Sequence, residues 1–159
     1  MPLKDKKTGK KLPSLIEKVI ASDYDWLDSS KEFTFNWREE EGNDVYKIFL
    51  IGKEKDILGV MSLIDMPEEY RIHLNLIEIS SSNIGRKKNI ENIAGCLIAF
   101  ACRLAFLRGY YGFVSLQPKT RLIDLYQDKY GFRQYGRFLA VEQNASRLLM
   151  DKYLEYEDE

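Results

Sequence analysis

Apolar residues recur at helical spacing through the second half of the chain, from Ile90 to about Arg108. Residues three and four apart lie on one face of an α-helix, so this pattern predicts a long, largely buried helix. Gly109 follows as its C-terminal stop. The apolar positions on this face are Ile90, Ile93, Ala94, Leu97, Ile98, Ala101, Leu104 and Ala105.

Shorter apolar stretches separated by charged or Pro- and Gly-containing turns predict the strands and the remaining helices. Four successive strands with short loops predict an antiparallel meander; they are Phe33–Trp37, Val45–Ile51, Ile57–Ile64 and Tyr70–Ser80. A strand at Tyr111–Gln117 after the long helix predicts a crossover that pairs two strands in parallel. The remaining predictions are one or two short helices within Pro13–Leu27, a helix over Arg121–Lys129 ended by Gly131, short strands near Arg133 and at Phe138–Glu142, and a last helix over Asn144–Tyr153.

A polar, basic loop joins the strand that ends at Ser80 to the long helix. The loop contains Gly85, Arg86, Lys87, Lys88 and Asn89. A loop of this kind at a helix N-terminus suits a phosphate-bearing cofactor, because backbone amides, the helix dipole and nearby cations all favour an anion. Taken alone, the same stretch also fits a solvated basic turn.

The overall composition predicts one domain with a substantial core. The chain has 159 residues, is 45% hydrophobic and carries a formal net charge of −1, so the protein as a whole is not a polyanion binder. We expect residues 1–12 to form a disordered basic arm and residues 13–159 to form the domain. The lysines of that arm do not favour nucleic acid as a partner, because no aromatic residues lie between them.

Cysteine and histidine usage excludes several kinds of site. Cys96 and Cys102 lie six residues apart in one helix, project from different faces and cannot form a disulfide there. His73 is the single histidine of the chain, so no metal site is expected. The N-terminal residues lack an apolar signal segment, and no apolar run is long enough to span a membrane. We therefore expect a cytoplasmic protein.

The segment Leu125–Phe132, with Leu-Tyr near its start and Gly-Phe at its end, resembles a motif of the GNAT superfamily of acyl-CoA-dependent N-acetyltransferases. The resemblance extends over about Ile57–Val141 and includes the strand, basic loop and long helix. It implies an α+β fold of mixed α/β type, in which helices flank a mixed, mostly antiparallel sheet with one splayed parallel strand pair. Residues 13–159 would then be a single GNAT-like acetyltransferase domain.

The resemblance also implies where acetyl-CoA, or another acyl-CoA, binds. The pantetheine arm would lie between the two splayed strands, beside the backbone of Ile77, Glu78, Ile79 and Ser80. The phosphate pattern of the family, Gln/Arg-x-x-Gly-x-Gly/Ala, is matched best by Asn89–Ala94, where Asn89 and Asn92 replace the usual residues and Ala94 fits. Asn tolerates left-handed backbone, so Asn92 can stand where glycine is usual. The resemblance adds Gly85, Arg86, Lys87, Lys88 and Lys119 to the expected cofactor-binding residues.

Tyr126 is the expected general acid. In the family this tyrosine donates a proton to the departing thiolate, and a leaving thiolate needs such a donor. A buried tyrosine with a structural role is the alternative.

Glu78 is the expected base. Strand alternation places it on the apolar face of Ile72, Leu74 and Leu76, where the pKa of a carboxyl group should rise. A glutamate that pairs with a cation or points into solvent is the alternative. His73 falls on the more polar face with Arg71 and Asn75, where we expect a structural or exposed residue.

The expected function is acetyl transfer to a primary amine of a small molecule or peptide, by direct attack on the thioester. Acidic residues of the loop before the central strand, Asp65, Glu68 and Glu69, would suit a cationic amine. The alternative is a catalytically degenerate GNAT-fold protein that binds CoA or another protein. A third interpretation, a nucleic-acid-associated factor, would require salt-dependent binding that is lost on deletion of residues 1–11. Domains of this family often pair, which allows a homodimer.

Overall fold

A twisted mixed sheet forms the centre of the protein. The computed structural model describes residues 2–118 and 122–154, and in that part of the chain it contains nine strands and four α-helices. The strands are β1 (Pro2–Asp5), β2 (Lys11–Lys18), β3 (Asp44–Leu50), β4 (Gly59–Met66), β5 (Arg71–Ile79), β6 (Ile90–Glu91), β7 (Val114–Leu116), β8 (Arg133–Tyr135) and β9 (Phe138–Val141). The helices are α1 (Ala21–Ser29), α2 (Ile93–Leu107), α3 (Ile123–Tyr130) and α4 (Gln143–Tyr153).

The strand order in the sheet is β6-β1-β2-β3-β4-β5-β7-β9-β8. β5 and β7 are the parallel pair and are joined by the crossover through α2, whereas the other neighbouring strands pair antiparallel. The predicted fold class, the long helix and the crossover are confirmed. Helices cover both faces of the sheet. Alternate residues of β3 show this, since Tyr46 and Ile48 pack in the cluster under α2 and Val45 packs in the cluster under α1.

The prediction of a disordered arm over residues 1–12 is wrong for the part that the structure describes. β1 pairs with β2 in a hairpin, with Leu3 opposite Leu12. The side chain of Leu3 is fully buried in the main core cluster. Burial of this leucine and the backbone hydrogen bonds of the hairpin offset the entropy of ordering the segment.

The first strand of the meander is also different from the predicted one. Pro13–Lys18 belongs to β2 and not to a helix, because the outer edge of β3 takes its backbone partners from this segment. Phe33–Trp37 is not a strand. Phe33 and Trp37 instead fill the cluster between α1 and the sheet, next to a short 3₁₀ turn at Trp37–Glu40. The meander is therefore β2-β3-β4-β5, and helical spacing within β2 is overridden by tertiary pairing.

Candidate cofactor cleft and acceptor face

The parallel strands β5 and β7 pair over three residues of each strand and then separate. Pairing ends at Leu74 opposite Leu116, whereas β5 continues to Ile79. Opposite β4 the register of β5 shifts at the same point, since Leu74 pairs with Leu63 and Leu76 pairs with Ser62. Asn75 is therefore the extra residue of a β-bulge, a feature that bends a strand and ends regular pairing. The parallel strand pair expected from the sequence is present, and its pairing ends five residues before β5 does.

A cavity of about 90 Å³ opens where β5 ends and α2 begins. It includes four of the residues that the sequence analysis expected at the cofactor: Ile79, Lys88, Asn92 and Ala94. The residues that the sequence analysis missed are Asn83, Ile90, Ile93, Gly95, Lys129, Tyr130 and Tyr153. Lys129 and Tyr130 adjoin the Gly-Phe end of the recognised motif, so that motif was the available signal for them.

The N-terminus of α2 faces this cavity without a side-chain cap. Asn92 is the N-cap residue and has a left-handed backbone with φ 77°, a conformation that asparagine tolerates better than most residues. No side-chain hydrogen bond caps this end of the helix. The first amides of a helix lack partners within it, so together with Lys88 and Lys129 they make this end suitable for an anion.

The loop before α2 is held by Asn83. Its Oδ1 accepts hydrogen bonds from the backbone amides of Asn89 and Ile90, at 3.2 and 3.0 Å. Its Nδ2 donates to the hydroxyl of Ser80 at 2.9 Å, and Ser80 is buried. Ser80 and Asn89 therefore have structural roles in the loop.

The other predicted cofactor residues fall into three groups. Ile77 packs against the main core cluster. Gly85, with φ 71°, begins an exposed 3₁₀ turn that also contains Arg86 and Lys87. Lys119 lies outside the described residues.

Tyr153, near the end of α4, packs directly on the first turn of α2. A Cβ atom at Gly95 would lie 2.4 Å from Cε1 of Tyr153, so the ring needs a glycine at this position. The thiol of Cys96 also donates a hydrogen bond to the backbone carbonyl of Tyr153 at 3.4 Å. The C-terminal helix thus forms one wall of the candidate phosphate site, and no pattern in the recognised motifs pointed to it.

Tyr126 lies on α3 within the main core cluster, with its ring centroid 5.6 Å from that of Phe132 and 5.9 Å from that of Tyr130. Burial raises the pKa of Tyr126. The hydroxyl therefore remains protonated at neutral pH, as a proton donor must. Among the described residues this hydroxyl has no hydrogen-bond partner.

Glu78 is held by the loop that precedes the Trp37 turn. Its carboxylate accepts hydrogen bonds from the Thr34 amide and hydroxyl, the Phe35 amide and the Trp37 indole, at 2.7, 3.0, 3.2 and 2.8 Å. The predicted face is wrong. The bulge at Asn75 reverses the alternation, so that Leu76 packs against the α1 cluster while Ile72 and Leu74 pack under α2. Glu78 consequently anchors a loop on the α1 side of the sheet.

A second polar cluster lies on the same side of the sheet, where β5 and β7 still pair. Nδ1 of His73 is 2.9 Å from Oγ of Ser115, and Nη1 of Arg71 donates to the same Oγ. The Arg71 guanidinium stacks 4.9 Å from the Phe138 ring centroid. Burial and then the charge of Arg71 lower the pKa of His73, so the imidazole is neutral at pH 7.

This cluster borders a cavity of about 230 Å³ whose walls are largely aromatic. Its lining residues are Glu69, Arg71, Phe113, Ser115, Tyr135, Phe138 and Ala140. Ser115 was not predicted from the sequence, although its place between two buried residues of a strand, Val114 and Leu116, was an available signal. The cavity therefore combines aromatic walls with a polar floor of Arg71 and Ser115, and the neutral His73 imidazole lies behind the Ser115 hydroxyl at 2.9 Å.

The acidic loop before β5 borders a further cavity of about 300 Å³, lined by Ile64–Glu69. Asp65 already has structural partners: it accepts a 2.7 Å hydrogen bond from the Tyr110 hydroxyl and lies 3.5 Å from Arg108. Glu69 pairs with Arg71 at 2.8 Å and lines both this cavity and the aromatic one. Glu68 carries no ion pair among the described residues.

Solved acetyltransferases share this arrangement of elements. Nourseothricin acetyltransferase is 11% identical, with a TM-score of 0.59 and coverage of 82% of this chain and 97% of that chain. The AtaT–AtaR complex bound to DNA is 16% identical, with a TM-score of 0.61 and coverage of 86% and 99%. A GNAT-family acetyltransferase from Staphylococcus aureus Mu50 is 12% identical, with a TM-score of 0.58 and coverage of 81% and 98%.

The chain has the GNAT fold. AtaTR has also been solved with AcCoA bound, at 14% identity and a TM-score of 0.58, with coverage of 87% and 98%. No family model matches the chain, and no curated protein matches it. Within residues 2–118 and 122–154, no helix is long and apolar enough to cross a bilayer, and no group of three or more His, Cys, Asp or Glu residues could hold a metal ion.

Proposed function

We propose that the protein transfers an acetyl group from acetyl-CoA to a primary amine. The observation that carries the proposal is the uncapped N-terminus of α2 beside Lys88 and Lys129, at the mouth of the splayed strand pair of a GNAT fold. Phosphate groups bind favourably where free helix amides and cations converge. Nourseothricin acetyltransferase and AcCoA-bound AtaTR, which share the fold, support the same class of reaction.

The residues at this end of α2 fit a diphosphate. Lys88 and Lys129 supply the cations, and the amides that follow Asn92 supply hydrogen-bond donors. The pantetheine arm would extend from there into the space between β5 and β7, beside Ile77 and Ile79. Arg86 and Lys87, exposed on the adjacent turn, would reach the ribose phosphate.

The acceptor would approach from the opposite side of the sheet, where the aromatic cavity and the Glu68 and Glu69 loop lie. Glu69 is already paired with Arg71, so the carboxylate available here is that of Glu68, which has no ion pair among the described residues. Together with the aromatic walls it favours a cationic group. A cationic amine is therefore the acceptor class that this face suits best.

Two groups of the chain would move protons during the reaction. Bound acetyl-CoA supplies the acetyl group as a thioester. The acceptor would react as the free amine, after its ammonium form has lost one proton to solvent. As the amine nitrogen bonds to the carbonyl carbon and the C–S bond breaks, the Tyr126 hydroxyl would give its proton to the departing sulfur. The amine proton passes to Oγ of Ser115 while the Ser115 proton passes to Nδ1 of His73. The Ser115–His73 pair thus takes the role of base that the sequence suggested for Glu78. The Glu78 carboxylate already accepts hydrogen bonds from the Thr34–Trp37 loop.

A specific observation favours one rival, a GNAT-fold protein that binds CoA without catalysis. The Tyr153 ring occupies the space above Gly95, and the remaining cavity holds only about 90 Å³. Such a protein would bind the cofactor and release no thiol with any amine.

Thermal unfolding with acetyl-CoA, followed by a thiol-release assay against a panel of amines, tests the proposal. A ligand at about a hundred times its dissociation constant stabilises the folded state by about 2.7 kcal/mol. We expect this shift in the wild type, a smaller shift in Lys88→Gln/Lys129→Gln, and the full shift in a control with the same charge change, Arg133→Gln/Arg137→Gln, at the other edge of the sheet. If acetyl-CoA did not raise the unfolding temperature of the wild type, the proposal would be refuted. A shift without thiol release from any amine would support the rival.

A further inference from the structure

Two basic segments that are far apart in the sequence meet at one edge of the sheet. The turn of the β1–β2 hairpin lies against the basic loop before α2: the amide of Lys6 donates to the backbone carbonyl of Asn89 at 2.9 Å, and Nζ of Lys6 donates to the carbonyl of Arg86. β1 also pairs with β6, where Lys4 stands opposite Glu91. The hairpin and the loop are thus parts of one surface.

We call this surface the basic edge. Its cationic residues are Lys4, Lys6, Lys7, Lys10, Lys11, Arg86, Lys87 and Lys88. All of them are exposed except Lys88, which is half-buried and lines the candidate phosphate cavity. The cluster begins at this cavity and continues to the hairpin turn.

Seven cations of the basic edge carry charges that no ion pair between described residues neutralises. Between described residues, no ion pair connects Lys4, Lys6, Lys7, Lys10, Arg86, Lys87 or Lys88 to a carboxylate. Outside the basic edge, ion pairs join five described cations to carboxylates, among them Lys47 to Asp23 at 2.8 Å and Arg71 to Glu69 at 2.8 Å. Asp5, within the hairpin, uses its carboxylate to accept the amides of Lys7 and Thr8, which fixes the turn.

The cations of the basic edge repel one another. Because the whole chain carries a net charge of only −1, the positive potential of this cluster is confined to one edge of the molecule. Residues 2–12 and 84–92 contain eight cations against two acidic residues, Asp5 and Glu91. Other acidic residues lie elsewhere, as Glu39–Glu41 on the loop before β3 and Glu68 and Glu69 beside the candidate acceptor cavities. A surface with one sign of charge on one edge attracts an extended anion.

We propose that the basic edge binds the phosphate backbone of a nucleic-acid duplex. Paired strands suit it because the exposed aromatic residues, Phe35, Tyr70, Tyr111 and Tyr135, all lie outside residues 2–12 and 84–92, so the edge has no platform for unstacked bases. Backbone recognition needs only closely spaced cations, and duplexes present one phosphate charge per about 1.7 Å of axis. The hairpin lysines of this edge take no part in the proposed acetyl transfer, whereas Arg86, Lys87 and Lys88 belong to both surfaces. The lysines predicted to lie in a disordered arm are held here by the β1–β2 hairpin.

The test is fluorescence anisotropy with a 20-base-pair RNA duplex, the same sequence as DNA, its single strand, and anionic lipid vesicles, each over a series of salt concentrations. We expect wild-type protein to bind the duplexes with dissociation constants of about 10⁻⁴ to 10⁻⁶ M at physiological salt. Lys7→Gln/Lys10→Gln, at the hairpin turn and outside the residues that line the cofactor cavity, should weaken this binding by about tenfold at low salt. It should also reduce the slope of log K against log salt by up to about 1.8 for DNA.

The control is Arg133→Gln/Arg137→Gln, which removes the same charge from the opposite edge of the sheet and should leave duplex binding unchanged. Acetyl-CoA stabilisation should be equal in wild type and Lys7→Gln/Lys10→Gln, which separates this proposal from the proposed enzymatic function. Equal duplex binding by the wild type and the hairpin variant would overturn the proposal, and so would equal losses in the two variants. Binding to vesicles or single strands in preference to both duplexes would overturn it as well, whereas a preference between RNA and DNA would identify the duplex.

Discussion

The indole of Trp37 donates a 2.8 Å hydrogen bond to the carboxylate of Glu78, across the face of the sheet on which α1 packs. Trp37 is fully buried, and the same carboxylate accepts the amides of Thr34 and Phe35. The Glu78 side chain on β5 therefore accepts hydrogen bonds from two backbone amides of a loop that pairs with no strand. This explains why Phe33–Trp37, which alternates like a strand, does not join the sheet.

We expect Glu78→Gln to destabilise the fold and to leave the chemical step intact. The amide offers one oxygen where the carboxylate offers two, and its NH₂ group would face N–H donors. Hydrogen bonds to a charged group contribute about 1.5–3 kcal/mol, so the free energy of unfolding should fall by about that amount. Urea unfolding measures the loss. A variant as stable as the wild type that has lost thiol release would instead return Glu78 to the role of base.

Sequence patterns predicted the elements that carry long or repeated signals. The helical spacing around Leu97, the crossover, and the Gly131 stop of α3 were all read correctly, because each depends on local backbone preference or on one amphipathic face. The position of Glu78 was not predictable by alternation, since one bulged residue, Asn75, moves every later side chain to the other face. The contact of the Tyr153 ring with Gly95 could not be predicted from local patterns either, because it joins α4 to α2 between residues that are 58 positions apart in the sequence.

Tyr126→Phe should lower kcat by about a hundredfold or more and leave the KM for acetyl-CoA nearly unchanged, because a general acid acts in the transition state. The fold should be retained, since the hydroxyl has no hydrogen-bond partner among the described residues. Tyr130→Phe, on the next turn of the same helix, is the matched control: it should retain kcat, and because Tyr130 lines the cofactor cavity any effect should fall on the KM for acetyl-CoA. Steady-state kinetics with a responsive amine makes the comparison. If Tyr126→Phe turned over like the control, Tyr126 would be a core residue and not the acid.

Gly95→Ala should reduce stability, although alanine favours helices by about 1 kcal/mol over glycine. The added methyl group would lie 2.4 Å from the Tyr153 ring, which is itself buried, and overpacking of this kind costs about 1–3 kcal/mol. In a Tyr153→Ala background the same substitution should become neutral or stabilising, because the clash is gone. A double-mutant cycle from urea unfolding measures the coupling. Additive effects would show that the ring does not restrict this position.

The lowered pKa of His73 predicts that the free energy of unfolding falls as the pH falls. Arg71 on β5, Ser115 on β7 and Phe138 on β9 face the imidazole, with Glu69 paired to Arg71, and burial together with the Arg71 charge lowers its pKa below 6.5. The unfolded chain therefore takes up this proton at a higher pH than the folded chain. Stability should be unaffected above about pH 6.5, fall as pH drops below it, and level off once the folded pKa is passed. Urea unfolding of the wild type and of His73→Gln between pH 5 and 8 should show this component in the wild type only.

If the His73 imidazole receives the amine proton through Ser115, the pH profile of activity should have an acid limb that depends on His73. The value of kcat/KM reports the free enzyme, so its loss attributable to His73 should occur below pH 6.5, where the imidazole becomes charged. His73→Gln should lower kcat and remove that limb, and Ser115→Ala should lower kcat to a similar extent because it interrupts the relay. A purely structural His73 would give a different result: His73→Gln would lose stability but keep both the wild-type kcat at pH 7.5 and the acid limb of the profile.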